Sequence, residues 1–179
     1  MTETPIPLEP PEDDLPAYDP VLDSEAQLLS AMLWCKDTNA LARIIDFLTP
    51  ADFYRPQYGA VYAAISRLIT RGQTHDPASV RVELRARGDK EGLPQSMIDH
   101  VVPLLTTLGA SDLAVSSYAS QVASESYRRQ FTRMVNRLKT AAETAPEDQL
   151  FTLMVEQGKG QRRAWERYTQ FTAPAIATR

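Results

Sequence analysis

The stretch Leu48-Thr49-Pro50-Ala51-Asp52-Phe53-Tyr54-Arg55-Pro56 separates two helical patterns and holds two rings between them. Upstream, Leu41, Ile44, Ile45 and Leu48 share one face of a helix from about Thr38 to Leu48. It closes there because the residue before a proline avoids the α region. Downstream, Pro56 suits the first turn of another helix, with Val61, Tyr62, Ile65, Leu68 and Ile69 inward and an end at Arg71-Gly72. Asp52, Phe53 and Tyr54 thus form a turn whose rings are expected to plug the gap between helices. Packing is preferred to a binding role for them, since burying one such ring is worth about 1.5–3 kcal/mol.

Helical punctuation continues outward on both sides. Asp23 or Ser24 caps a first helix, Glu25 suits its positive end, and Leu28, Leu29, Met32 and Leu33 recur at helical spacing. A fourth helix uses Val80, Val82 and Leu84 and stops at Arg87-Gly88. A fifth runs from Gln95 to Leu108, with a kink or break expected at Pro103. Ser111 or Asp112 then caps the longest element, which reaches about Thr144. Along it Tyr127, Phe131, Met134, Leu138 and Ala141 make a seam spaced 4, 3, 4 and 3. After Ala145-Pro146-Glu147-Asp148 the chain returns through Leu150, Phe151, Met154 and Val155 to Trp165, Tyr168 and Phe171, an arm that Gly158 and Gly160 are placed to interrupt.

These patterns predict an all-α fold, a compact helical bundle followed by a long C-terminal helical hairpin. The expected organisation is a proline-rich acidic tail over 1–22, a helical globular subdomain over 23–110, the hairpin over 111–171 and a flexible end over 172–179. A chain of 179 residues is long enough for one such domain with flexible ends. Hydrophobic residues at 43% and charged residues at 23% exclude a disordered or membrane chain. The single Cys35 has no partner for an intrachain disulfide, which suits a reducing compartment. With no secretory signal in residues 1–22 and no apolar run of the ~20 residues a span needs, the cytoplasm is the expected location.

The net charge of −4 conceals an asymmetry. Residues 1–22 carry six acids and no base, whereas residues 127–179 carry ten Lys or Arg against five Asp or Glu. A basic end meets a nucleic-acid backbone or an acidic protein surface, or is simply a solvated helix face. Arg162, Arg163 and Arg167 beside Trp165 are candidate nucleic-acid contacts, cations around a stacking ring. Hairpin packing with a solvated basic edge is the duller reading of the same residues.

Residue types for catalysis are not arranged for it. A phosphate-cradling loop needs G-x-x-x-x-G-K-[ST], and Gly158-Lys159 has Leu153 at the first glycine position and Gly160 after the lysine. His75, His100 and Cys35 lack metal-ligand spacing, and the acidic pairs Asp13-Asp14 and Glu147-Asp148 fall in the tail and at a helix start. No cofactor, no metal and no enzymatic activity are expected.

Five stretches, in order, resemble the N-terminal domain of DnaB-type replicative helicases, over roughly residues 21–140 and more weakly to about 171. They are Asp23-Ser24-Glu25-Ala26-Gln27-Leu28-Leu29; the Asp52-Phe53-Tyr54 turn within residues 48–56; Val61-Tyr62-Ala63-Ala64-Ile65; Arg71-Gly72 through Asp76, Ser79-Val80 and Glu83-Leu84 to Arg87-Gly88; and Tyr118-Ala119-Ser120-Gln121-Val122. The chain departs from the family's usual histidine at Tyr58, from its proline and aliphatic residue at Thr74 and His75, and from its Gly-Gly segment at Gly92-Leu93-Pro94-Gln95.

The resemblance implies that hairpins pair between subunits in a collar built of dimers, and that the domain meets primase or helicase-loader proteins. It implies a homo-oligomer in DNA replication, and the seam of Tyr127, Phe131, Met134 and Leu138 is then either the inside of the hairpin within one chain or the self-association surface for a second copy. Nothing of the family's ATPase is present, so the chain is either a stand-alone relative or the front piece of a longer protein. Three functional readings follow. One is a non-catalytic self-association module that docks onto a replicative helicase or its partners, another a nucleic-acid-binding accessory protein, and the third a decoy that inhibits a helicase.

Overall fold

Helix α1, Ser24–Trp34, is the axis of the fold: Ala26, Leu28, Leu29, Ala31 and Met32 are fully buried, so it is covered on nearly every side. The computed structural model describes residues 18–87 and 93–172. After α1 the chain forms α2 (Thr38–Phe47), α3 (Pro56–Thr70), α4 (Pro77–Arg87), α5 (Gln95–Thr107), α6 (Val115–Thr144) and α7 (Glu147–Thr172). No strand occurs among the described residues. Helices α3, α5 and α6 pack on α1, α4 bridges α3 and α5, and α7 runs back along α6.

Short side chains set the helix starts. Asp23 Oδ1 accepts from the backbone N–H groups of Glu25 and Ala26 and starts α1, and Asp37 Oδ1 does the same for α2 through Asn39 and Ala40. On α4 the buried residues are Val80 and Leu84, one turn apart, whereas Val82 points the other way and is 67% exposed. Its expected place in the core is corrected by the helical period.

Other expectations change as well. The sequence places the tail through residue 22; within it residues 18–22 are tied to the bundle by hydrogen bonds while the Val21 and Leu22 side chains stay exposed. Pro20–Leu22 form a 3₁₀ turn, and the Tyr18 hydroxyl reaches Asp23 Oδ2 at 2.8 Å and the Tyr58 hydroxyl at 2.6 Å. Helix α5 is not broken at Pro103. Asp99, whose carbonyl loses its helical donor there, lies with Pro103 on the solvent-exposed face of the helix. Asp112–Ala114 form a 3₁₀ turn ahead of α6. Gly158 and Gly160 do not interrupt α7. Each costs about 1 kcal/mol relative to alanine, too little to break a helix that packs on a partner along its length. The stop at Gly88 and the segments over 1–17 and 173–179 lie outside the described residues.

The core ends abruptly on the hairpin. Buried residues on α6 are Val115, Ala119, Val122 and Ser126, with none beyond, and Phe171 is the buried residue of α7 among those described. The distal two-thirds of the hairpin therefore projects with only half-buried and exposed side chains.

Candidate functional site at the base of the hairpin

The Asp52-Phe53-Tyr54 turn sits where α1, α3 and the two hairpin helices converge, and its three side chains take three different roles. Phe53 is 6% exposed and packs its ring 4.8 Å from that of Tyr62, whose hydroxyl donates to the carbonyls of Leu48 and Ile44. Burial pushes the Tyr62 phenol well above the usual tyrosine range. Tyr54 is 67% exposed, so only one of the two rings plugs the gap. Adjacent residues of an extended turn point to opposite sides, and Tyr54 takes the outer one, with the Arg129 guanidinium 5.8 Å from its ring centre.

Asp52 is 2% exposed and carries a full set of donors. Its Oδ2 accepts from the Thr49 backbone N–H at 2.8 Å and the Thr49 hydroxyl at 2.9 Å, a capping box on the turn. Its Oδ1 accepts from Ser126 Oγ of α6 and Arg167 Nη2 of α7, both at 2.6 Å. One carboxylate thus holds the turn and both hairpin helices.

A second buried carboxylate works beside it. Glu25, 3% exposed on α1, accepts from the backbone N–H groups of Tyr54 at 2.6 Å and Arg55 at 3.3 Å. Arg129 Nη2 of α6 stands 3.2 Å from Glu25 Oε1 and also donates to the Asp52 carbonyl. Burial raises the Glu25 pKa, against the lowering effect of the two amides and Arg129. Close approach is needed for this lock. Gly59 of α3 lies so near the turn that a Cβ there would stand 2.7 Å from the Pro50 carbonyl oxygen.

On the hairpin itself, Tyr127 stacks on Tyr168 at 5.3 Å between ring centres, and Trp165 tilts against both at 5.6 and 5.7 Å. Met134 and Leu138 are half-buried, in helical phase with Tyr127 and Ala141 on the side that α7 covers. Phe131 is 46% exposed. Its neighbours one turn on, or across on α7, are also open: Val135 at 45%, Phe151 at 71%, Met154 at 51% and Trp165 at 49%. At 100° per residue Phe131 and Val135 fall on one stripe of α6, and Phe151, Met154, Gly158 and Trp165 on one stripe of α7.

The basic residues singled out in the sequence do not gather around Trp165 as one cationic patch. Arg167 is turned to Asp52, Arg162 pairs with Glu166 at 3.1 Å, and Arg163 is exposed. His75 and Cys35, distant in sequence, meet as a ring nitrogen 3.1 Å from a backbone carbonyl. Among the described residues no group of His, Cys, Asp and Glu is placed to hold a metal, and no helix is long and apolar enough to cross a membrane.

Glu25, Ser126, Arg129 and Gly59 were not singled out by sequence for these roles. Glu25 reads as a helix-start acid, and Gly59 alone carried a signal, a glycine inside a strong helical pattern.

A helical bundle whose Asp-Phe-Tyr turn is locked onto a projecting helical hairpin is the class of fold that these elements define. The DnaB-like helicase N terminal domain family matches residues 19–124, and the chain belongs to that family. Over 80 residues it is 40% identical to the replicative DNA helicase DnaB of Mycobacterium leprae, a match that covers 44% of this chain and 13% of that protein. The crystal structure of the N-terminal domain of DnaB helicase from Mycobacterium tuberculosis superposes with a TM-score of 0.61 at 26% identity. That match covers 83% of this chain and 95% of the other. The matched curated region is a small part of a longer helicase.

Proposed function

We propose that this domain acts in DNA replication as a non-catalytic self-association and docking module, with two copies meeting through the exposed apolar side of the hairpin. One observation carries the reading. Phe131, Val135, Phe151 and Met154 are each 45% exposed or more on one side of a two-helix arm that has no core of its own. Gly158 lies on the same α7 stripe with open space around its Cβ position, so a facing helix can approach closely. A twofold contact covers such a surface with itself. Tyr127, Met134 and Leu138 of the proposed seam are half-buried, and Phe131 stands more open beside them on the same helix.

Family membership supports placing the contact in a helicase collar, with primase or loader proteins as further partners and no part taken in ATP hydrolysis. The decoy reading uses the same surface, offered to a helicase's own hairpins. Direct nucleic-acid binding is the weaker alternative, because Arg162 and Arg167 already have carboxylate partners. Light scattering across a concentration series tests the reading. A mass of two chains or a multiple of it supports it, and a single-chain mass throughout rejects it.

A further inference from the structure

We propose that the aromatic groove at the base of the hairpin is the docking site of the chain's own proline-rich acidic segment, residues 5–16. The groove, about 390 Å³, is lined by Tyr127, Phe131, Trp165 and Tyr168 with Arg128 and Ser124 at its edge. Three of its rings are stacked or tilted against one another within 5.7 Å, which gives a rigid aromatic wall that is still open to solvent.

Such a wall suits proline. A proline-rich segment favours the polyproline II conformation, loses little entropy on binding, and lays its rings on aromatic side chains. Residues 5–16 supply Pro5, Pro7, Pro10, Pro11 and Pro16. Pro7 and Pro10 are three residues apart, so a helix of about three residues per turn puts both on one side. Charge fits as well. Glu9, Glu12, Asp13 and Asp14 stand within the segment without a base among them, and the exposed Arg128 at the edge of the groove is of the complementary sign.

The anchor of the segment is close to the groove. Tyr18 is held by the Tyr58 hydroxyl and by the Arg55 guanidinium 3.6 Å above its ring. It lines a cleft with Glu125 and Arg129. Those residues are next to Ser124 and Arg128 in sequence, so cleft and groove occupy adjoining faces of α6. Running back from Tyr18 to Pro10 gives about 25 Å of reach at ~3.1 Å per residue, and a helix is only about 10–12 Å across. The groove shares Phe131 with the exposed apolar side of the hairpin but is centred on Tyr127, Trp165 and Tyr168, and its occupation by the segment does not require self-association.

The test uses the full chain with Cys35→Ala and Leu8→Cys, a nitroxide on the new thiol, and the Trp165 indole N–H as the reporter in NMR spectra. Docking is expected to remove more than half of the Trp165 signal while Trp34 keeps its own, and Pro7→Ser with Pro10→Ser and Pro11→Ser is expected to restore it. An undiminished Trp165 signal overturns the proposal. Broadening that appears equally in an isotope-labelled chain mixed with a spin-labelled, unenriched one assigns the groove to a second copy's segment and overturns docking within the chain. A Trp165 signal that responds only to added single-stranded oligonucleotide assigns the groove to nucleic acid and likewise overturns it.

Discussion

Arg167 of α7 places its Nη2 2.6 Å from Oδ1 of Asp52, joining the far arm of the hairpin to a turn 115 residues earlier in the chain. Arg129 of α6 makes the matching link to Glu25 and to the Asp52 carbonyl. The hairpin is therefore fixed to the bundle by one arginine from each arm, and its exposed face is held in a set direction.

The two arginines are expected to contribute unequally. Arg129→Ala leaves Glu25 buried with a lost cation, at a cost of about 2–3 kcal/mol. Arg167 is 39% exposed and its partner keeps three other donors, so Arg167→Ala costs about 1 kcal/mol after solvent screening. Chemical denaturation of both variants checks the order, and a reversed ranking contradicts the lock as drawn.

Neighbouring rings are expected to respond differently. Phe53→Ala empties a core site and lowers stability by about 3–5 kcal/mol. Tyr54→Ala removes an exposed ring and a loose cation contact, worth about 1 kcal/mol or less. Equal melting temperatures for the two variants would contradict this assignment.

Gly59→Ala sets helix propensity against packing. Alanine favours the helix by about 1 kcal/mol, but its Cβ meets the backbone carbonyl of Pro50, which has no flexible end to move aside. Overpacking is expected to win, with a net loss of about 1–2 kcal/mol in thermal denaturation. A stabilised variant would mean that the turn yields.

Glu25 sets a pH dependence. Burial, partly offset by the Tyr54 and Arg55 amides and by Arg129, raises its folded pKa above the unfolded value. Between those two values the folded chain binds more protons than the unfolded one. Its contribution is therefore fully present below the ordinary glutamate pKa and is lost as pH rises through the folded value. The stability of the natural chain minus that of Glu25→Gln is expected to fall as pH rises from the ordinary glutamate range towards neutrality. Denaturant titrations at several pH values measure the difference, and a flat or rising one contradicts the assignment.

Helices were legible because each carries a local signal. The cap at Asp23, the proline at Pro56 and the stop at Gly72 act within a turn of themselves, and Gly72 indeed has a positive φ of 64°. The lock was not legible, since Glu25 takes its donors from residues 54, 55 and 129, and nothing near Glu25 in sequence announces them. Arg167 shows the same limit in reverse. Beside Trp165 it reads as a nucleic-acid contact, until the fold brings Asp52 to it. Of the 4-3-4-3 seam, Tyr127, Met134, Leu138 and Ala141 are half-buried on the inner side of the hairpin and Phe131 is on its open side, and the open stripe of Phe151 and Met154 emerged only once α7 had a fixed phase against α6.

Self-association through the exposed side of the hairpin is tested most directly by sedimentation of the intact chain beside Phe131→Asp and Phe151→Asp. A charge placed on a face that becomes buried between copies is left without a partner, which strongly disfavours association, whereas on a face open to water it costs little. Self-association predicts dimers, or assemblies built from them, for the natural chain, and monomers of unchanged helical circular dichroism for both variants. A natural chain that sediments as a monomer at concentrations of tens of micromolar, or variants that sediment as it does, would contradict it.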